Sequence, residues 1–143
     1  MSLSALSPTE IALRDERMLA VLRAGIPDLQ AVYRYGSAGG PYERTESDID
    51  LAVLAARPVG FTQLTRLAAE LAQLTGKEAD LHDMRRLPVS LRVQIVTGGV
   101  RLFAAQRGAV EEYDSRVLSD YVRLNEERRG ILDDIRARGS IHG

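Results

Sequence analysis

The chain has 143 residues, of which 45% are hydrophobic and 27% charged, a composition that predicts one globular domain, with or without a helical extension. The sequence has no cysteine, which excludes disulfides and thiolate metal sites and fits a cytoplasmic protein. A net charge of -1, the lack of tryptophan and the absence of any run of about 20 apolar residues argue against direct nucleic-acid binding and against a membrane span.

Local signals divide the chain into four helices and four strands. The first helix starts at Ser7-Pro8-Thr9-Glu10, where a serine cap, a proline at the first helical position and a glutamate three residues after the cap coincide. Residues 88–97 are ambiguous, because their β-branched content suits a strand whereas the Gly98-Gly99 stop suits a short helix, which we favour. The first helix ends at Gly25, an amphipathic helix runs from Phe61 to Thr75, and a charged helix runs from Ala109 toward Ala137, where Gly130 could interrupt it. The four predicted strands are Leu29 to Tyr35, Asp48 to Leu54, Glu78 to Met84 and Val100 to Ala104.

This order predicts an α+β fold, in which helices pack on a small mixed β-sheet and a helix closes the C-terminus. We assign residues 1–108 to the core and residues 109–143 to a helical extension of the same domain. The last helix carries apolar residues on one broad face. They are Val110, Tyr113, Val117, Tyr121, Leu124, Ile131 and Ile135.

The segment from Gly36 to Asp50 carries most of the chemical information. It contains a Gly-Ser pair, ten further residues, and then Asp48-Ile49-Asp50 at the start of an apolar strand. Residues two apart share one face of a strand, so Asp48 and Asp50 point the same way with Cβ atoms roughly 7 Å apart. Their mutual repulsion is about 2 kcal/mol at an effective dielectric near 20, and a hard cation such as Mg²⁺ would remove it.

Gly36 and Ser37 suit a polyphosphate. A glycine lets the backbone approach an anion, successive N–H groups of a turn can cradle it, and the serine hydroxyl adds a hydrogen bond. Taken singly, a Gly-Ser pair after a strand is usually only a turn, and Asp-x-Asp at a strand start is often a solvated or capping pair. Their joint spacing between two strands favours a phosphate and metal site.

The third strand supplies a further acid. Glu78, Asp80 and His82 share one face of this strand, whereas Asp83 lies on the opposite face and suits a strand-end or capping role. Spacing alone leaves Asp80 open between a site residue and a surface residue, and a histidine such as His82 is more often solvated or packed than catalytic.

The pattern Gly36-Ser37-x10-Asp48-x-Asp50 resembles the signature of the nucleotidyltransferases similar to DNA polymerase beta. The Asp48-Ile49-Asp50-Leu51 phrasing and the second acidic strand around Asp80 resemble, more narrowly, the minimal nucleotidyltransferase (MNT) antitoxins of the HEPN/MNT (type VII) toxin–antitoxin modules. The likeness covers roughly residues 10 to 105.

The resemblance implies an Mg²⁺-dependent protein adenylyltransferase. Asp48, Asp50 and Asp80 would be its catalytic carboxylates and metal ligands, with Asp80 helping to deprotonate the acceptor hydroxyl. Gly36 and Ser37 would contact the triphosphate of the substrate ATP. The enzyme would transfer AMP to a tyrosine of a partner HEPN ribonuclease toxin, with which it forms a hetero-oligomeric complex, and the transfer would neutralise the toxin.

Two features leave alternatives open. Relatives often carry a basic residue soon after the Gly-Ser pair, where this chain has Ala38-Gly39-Gly40; Arg44 could replace it or be a solvated loop charge, and Tyr42 is equally open. The protein could also be a catalytically silent antitoxin that acts by binding alone, or a small-molecule (antibiotic) nucleotidyltransferase. The short chain disfavours the last of these, since it leaves little room for an acceptor domain beyond residue 108.

Overall fold

The computed structural model of the chain describes residues 6–36, 43 and 47–142. Its four strands form one mixed sheet in the order β3-β2-β1-β4, in which β2 and β3 are parallel and the other two pairs antiparallel. The predicted α+β class with a C-terminal helix is confirmed. The elements are α1 (Pro8–Gly25), β1 (Leu29–Tyr35), β2 (Ile49–Ala55), α2 (Phe61–Thr75), β3 (Ala79–Asp83), a 3-10 turn (Met84–Arg86), α3 (Val89–Gly98), β4 (Val100–Ala104) and α4 (Arg107–His142).

Helices α1 and α2 cover one face of the sheet. The predicted start of α1 is confirmed, because Ser7 and Glu10 exchange two hydrogen bonds of 3.1 Å between side chain and backbone. Helix α2 ends at Gly76, whose φ of 73° is the left-handed conformation that glycine adopts without strain. The buried core on this side contains Met18 and Leu22 of α1, Leu67 and Leu71 of α2, and Ile49, Leu51 and Val53 of β2.

Helices α3 and α4 cover the opposite face. The ambiguous segment after Pro88 is helical, as we favoured, and it buries Ile95 against the sheet. Tyr33 of β1 donates a hydrogen bond of 2.6 Å to Asp114 of α4, and Arg101 of β4 lies 3.4 Å from the same carboxylate. Burial raises the pKa of the Tyr33 hydroxyl, and the neighbouring Asp114 carboxylate raises it further. The hydroxyl therefore remains neutral, and its hydrogen bond connects α4 to the sheet.

Helix α4 is longer than predicted. It runs from Arg107 to His142 without the break that Gly130 suggested. A glycine in a helix costs about 1 kcal/mol relative to alanine, and the ion pairs Asp133–Arg136 and Asp134–Arg138 support the turns that follow it. Despite its length, α4 is too polar to cross a bilayer, and no other helix within residues 6–36, 43 and 47–142 could do so.

Asp83 holds together the backbone that follows the parallel strands β2 and β3. This carboxylate is 3% exposed, and it accepts hydrogen bonds of 3.0 Å from the amides of Val59 and Arg85. The Arg85 guanidinium in turn donates to the Ala55 carbonyl at 3.0 and 3.2 Å. The capping role expected for Asp83 is therefore confirmed, and Arg85 is a structural residue that connects β3 to the end of β2.

We predict that Asp83→Ala lowers the free energy of unfolding by about 1–3 kcal/mol, because it leaves the buried Val59 amide without an acceptor. Urea denaturation monitored by circular dichroism measures the change. Asp120→Ala is the control, since the Asp120 side chain is 44% exposed and forms a surface ion pair with Arg123, so its loss should cost under about 0.5 kcal/mol. Equal losses in the two variants would contradict the buried-acceptor role.

Candidate active site

The parallel register of β2 and β3 brings two of the predicted acids together. Asp50 is the register partner of Asp80, so their side chains project side by side from strands about 4.8 Å apart. Asp48 is exposed and lies immediately before β2. Burial, then the negative charge of Asp80 and then that of Asp48 raise the pKa of Asp50, while His82 acts in the opposite direction. The three acids are thus electrostatic neighbours.

Gly36 forms the turn that ends β1, directly against these acids. Its φ is +73°, in the region that side-chain-bearing residues avoid. A methyl group built on its Cα would overlap the Oδ2 atom of Asp50. Glycine is therefore required at position 36 for two reasons. Its backbone conformation disfavours any side chain, and the Asp50 carboxylate occupies the space that a Cβ atom would fill.

Tyr35 is a neighbour of the acids that the sequence analysis missed. It lies opposite Asp50 in the antiparallel register of β1 and β2. Burial, followed by the charges of Asp50 and Asp80, raises the pKa of Tyr35 to about 12. The hydroxyl is accordingly protonated at neutral pH. The residues from Leu29 to Tyr35 predicted a strand that stops at Gly36, but gave no sign that its last residue would adjoin the carboxylates.

Between Gly36 and Ser47 the structure describes only Glu43, which is held by two basic side chains. Its carboxylate is 6% exposed and receives a bidentate contact from Arg14 of α1, at 2.8 and 2.9 Å, and another from Lys77. The sequence gave no signal for this cluster, because its members are 29 and 34 residues apart. Ser37, Tyr42 and Arg44, which the sequence analysis considered for nucleotide contacts, lie outside the described residues.

Asp48, Asp50 and Asp80 offer carboxylate oxygens, which are the kind of donor atom that Mg²⁺ prefers. Within residues 6–36, 43 and 47–142, no three acidic or histidine side chains are gathered around one metal position. Mg²⁺ is normally held by only one or two carboxylates and takes its other ligands from water and substrate phosphates, so a closed protein cage is not required. Asp50, with its raised pKa, is a carboxylate whose ionisation a cation would favour.

Two open cavities meet at Asp80. One, of about 280 Å³, is lined by Asp48, Asp80 and the small residues Ala68, Ala69 and Ala72 of α2. The other, of about 380 Å³, lies along the outer side of β3 and includes Asp80 and His82. Asp80 is exposed and lines both cavities.

Comparison with known proteins shows the family of the chain. The family model described as Polymerase beta, Nucleotidyltransferase matches residues 20–108, which include Gly36, Asp48, Asp50 and Asp80. The protein adenylyltransferase MntA of Shewanella oneidensis is 35% identical over 125 residues, which make up 87% of this chain and 89% of that protein.

Solved structures give the same result in three dimensions. The chain is similar to one in a structure of the tri-AMPylated Shewanella oneidensis HEPN toxin in complex with MNT antitoxin, with a TM-score of 0.72 and 33% identity over 87% of this chain and 98% of that one. It is also similar to a chain of a toxin–antitoxin structure with AMP-PNP, with a TM-score of 0.75 and 35% identity over 85% of this chain and 97% of that one.

We predict that Asp50→Asn stabilises the metal-free protein at pH 7. A raised pKa means that the folded state binds the Asp50 proton more tightly than the unfolded chain does. Stability therefore falls as the pH rises from the ordinary aspartate pKa of about 3.9 through the raised value, and the penalty is complete above it. The variant lacks this penalty, so its advantage should shrink as the pH falls from 7 to about 4.

Urea denaturation in EDTA at pH 4 and pH 7 measures this advantage. Asp120→Asn on the exposed part of α4 is the control and should show no comparable dependence on pH. A wild type more stable than Asp50→Asn at pH 7 without metal would contradict the repulsion inferred for the three acids.

Proposed function

The chain belongs to the polymerase beta nucleotidyltransferase family, and from that membership we propose that it is an Mg²⁺-dependent protein adenylyltransferase. Its substrate is ATP, its acceptor is a tyrosine of a partner HEPN toxin, and transfer of AMP neutralises that toxin. The relatives support this assignment through their names, which include a protein adenylyltransferase and complexes of an AMPylated HEPN toxin with an MNT antitoxin.

One observation carries the proposal, namely that Asp50 and Asp80 are register partners beside the left-handed Gly36 turn. Any one of these residues has common structural explanations. Together they place negative side chains next to a backbone that has no Cβ to obstruct a polyphosphate. This combination suits a reaction in which a cation and a nucleoside triphosphate bind side by side.

In the proposed reaction, the acceptor tyrosine attacks the α-phosphorus of ATP. The phenolic O–H bond breaks and its proton passes to the Asp80 carboxylate, a new O–P bond forms, and the bond to the bridging oxygen of the β-phosphate breaks to release pyrophosphate. Asp48, Asp50 and Asp80 would supply the carboxylate ligands of Mg²⁺, one or two to each ion, and the metal would supply charge neutralisation to the triphosphate. The Gly36 turn lets the backbone approach the phosphates.

The remaining assignments follow from this one. Residues 1–108 form the catalytic core, which the family match over residues 20–108 supports, and residues 109–143 form its helical extension. The protein acts in the cytoplasm, where ATP is available, in a hetero-oligomeric complex with the toxin. We expect that toxin to be encoded in the adjacent reading frame.

Replacing the acids tests the mechanism directly. We predict that Asp80→Asn lowers the rate of AMP transfer by about 10²–10⁴-fold, the usual contribution of a general base, and that Asp48→Asn is comparably impaired. The assay is transfer of label from [α-³²P]ATP to the purified toxin with Mg²⁺, and the matched control is Asp120→Asn. Full transfer by both active-site variants would contradict these roles, and toxin neutralisation by variants without transfer would favour the silent antitoxin.

The Gly36 turn provides a second test with a built-in control. Gly36 and Gly76 share a φ of 73°, so alanine costs about 1–2 kcal/mol of backbone strain at either position. Only at Gly36 would the methyl group displace Asp50, because among the described residues no atom outside the chain neighbours lies within 4 Å of the corresponding position at Gly76. Gly36→Ala should therefore abolish most AMP transfer, whereas Gly76→Ala should keep it, although the backbone strain lowers the thermal stability of both variants. Equal transfer by the two variants would contradict the role of the turn.

A further inference from the structure

β3 is an edge strand of the sheet in the part of the chain that the structure describes, and we call its unpaired side the open edge. β3 pairs with β2 on one side, and no strand among the described residues lies on its other side. The amide of Ile49 donates a 2.9 Å hydrogen bond to the carbonyl of Glu78, which fixes the direction of the alternating peptide groups. In a parallel pair the N–H and C=O of one residue point to the same side. The N–H and C=O groups of Ala79 and Leu81 therefore point away from β2, toward the open edge.

A cavity of about 380 Å³ runs along this open edge, between α2, β3 and the turn that follows β3. We call it the edge cavity. Its walls combine apolar side chains with a few polar ones, a composition typical of sites that bind an aromatic group with one polar atom. The residues that matter here are Phe61, Leu64 and Leu87 on the apolar side, and Asp80, His82 and Arg86 on the polar side.

Phe61 forms the rim of the edge cavity. It is the first residue of α2 and is 79% exposed, so its ring contributes little to the core. Aromatic side chains are enriched where proteins bind other proteins, because a rigid ring buries a large area at a small cost in conformational entropy. Its exposure next to an open strand edge indicates a docking role.

Asp80 connects the edge cavity to the proposed chemistry. It lines both the edge cavity and the cavity that Asp48 also lines. A group bound in the edge cavity would thus lie next to Asp80. Although β4 is also an edge strand, its register partner is β1, and none of the three acids lies on it.

We propose that the open edge of β3 and the edge cavity form the acceptor site, where an extended segment of the acceptor protein adds to β3 as a further strand. The tyrosine ring of that segment lies between Phe61 and Leu87, with its hydroxyl toward Asp80. This inference rests on the proposed adenylyltransferase activity. A protein segment is the favoured occupant, because outward N–H and C=O groups recognise a peptide backbone, which an antibiotic does not offer.

The first test truncates the aromatic rim. Phe61→Ala should raise the KM for the HEPN toxin by about tenfold, the loss expected for one well-placed aromatic contact, while the Kd for AMP-PNP stays that of the wild type. Leu74→Ala is the matched control, because Leu74 is an exposed apolar residue of the same helix, 40% exposed, that does not line the edge cavity. It should keep the wild-type KM for the toxin.

The second test removes a backbone donor from the open edge. Ala79→Pro deletes the outward N–H at a strand edge, where proline is tolerated, and Ala79→Val adds similar bulk but keeps the N–H. The KM for the toxin should rise several-fold more in the proline variant than in the valine variant, with melting temperatures and AMP-PNP Kd values confirming that both are folded and bind nucleotide.

The outcomes separate this proposal from the one on which it rests. A wild type that AMPylates the toxin, with Phe61→Ala and Ala79→Pro both at the KM of their controls, would overturn the acceptor site and leave the adenylyltransferase assignment intact. A wild type that transfers no AMP to the toxin would overturn both. A KM increase in Phe61→Ala and Ala79→Pro, but not in their controls, would support the acceptor site.

Discussion

The parallel pairing of β2 with β3 is the constraint on which the rest of the site depends. It sets Asp50 beside Asp80, and a shift of one residue would turn one of these side chains to the opposite, helix-covered face. The pairing is fixed at its far end by Asp83, whose two hydrogen bonds hold the backbone after each strand, and by Arg85 on the Ala55 carbonyl. Residues outside the proposed active site therefore set the distance between Asp50 and Asp80, to which the proposal assigns the chemistry.

Holding Asp50 beside Asp80 has an electrostatic cost, because the two carboxylates repel each other. The fold keeps Asp50 partly buried near two other carboxylates, and the raised pKa of Asp50 is the consequence. Such a cost persists in a folded protein only when surrounding contacts exceed it. The apolar residues of β2, from Ile49 to Leu54, are almost fully buried between the two helical layers and supply those contacts. A bound cation would remove the repulsion, so metal binding and folding stability are expected to be coupled at this site.

Local signals account for what the sequence predicted correctly. The capping box at Ser7 and the left-handed glycine after Thr75 are short-range features, and the bounds of α1 and α2 follow from them. The order of helices and strands then predicted a small mixed sheet. The spacing of Gly36, Asp48 and Asp50 is local as well, and the structure places Asp50 against Gly36.

Features that depend on distant parts of the chain could not be predicted. Glu43 meets Arg14 and Lys77 only after the chain has folded, and Tyr35 becomes a neighbour of Asp50 through strand pairing. The apolar face of the last helix was recognised, but periodicity does not tell a buried face from an exposed one. Val110 and Val117 are 2% exposed, whereas Ile131 is 60% exposed, since α4 extends beyond the sheet that covers its first turns.

An open strand edge is usually a liability, because its free backbone groups can pair with another copy of the chain. Proteins limit this hazard with short edge strands and charged side chains, and β3 has both: five residues, preceded by Glu78 and containing the exposed Asp80. Two copies of this edge would bring like charges together. A neutral or basic segment would not meet that repulsion, so the acids that suit nucleotide chemistry also disfavour self-association at the place where the proposed acceptor binds.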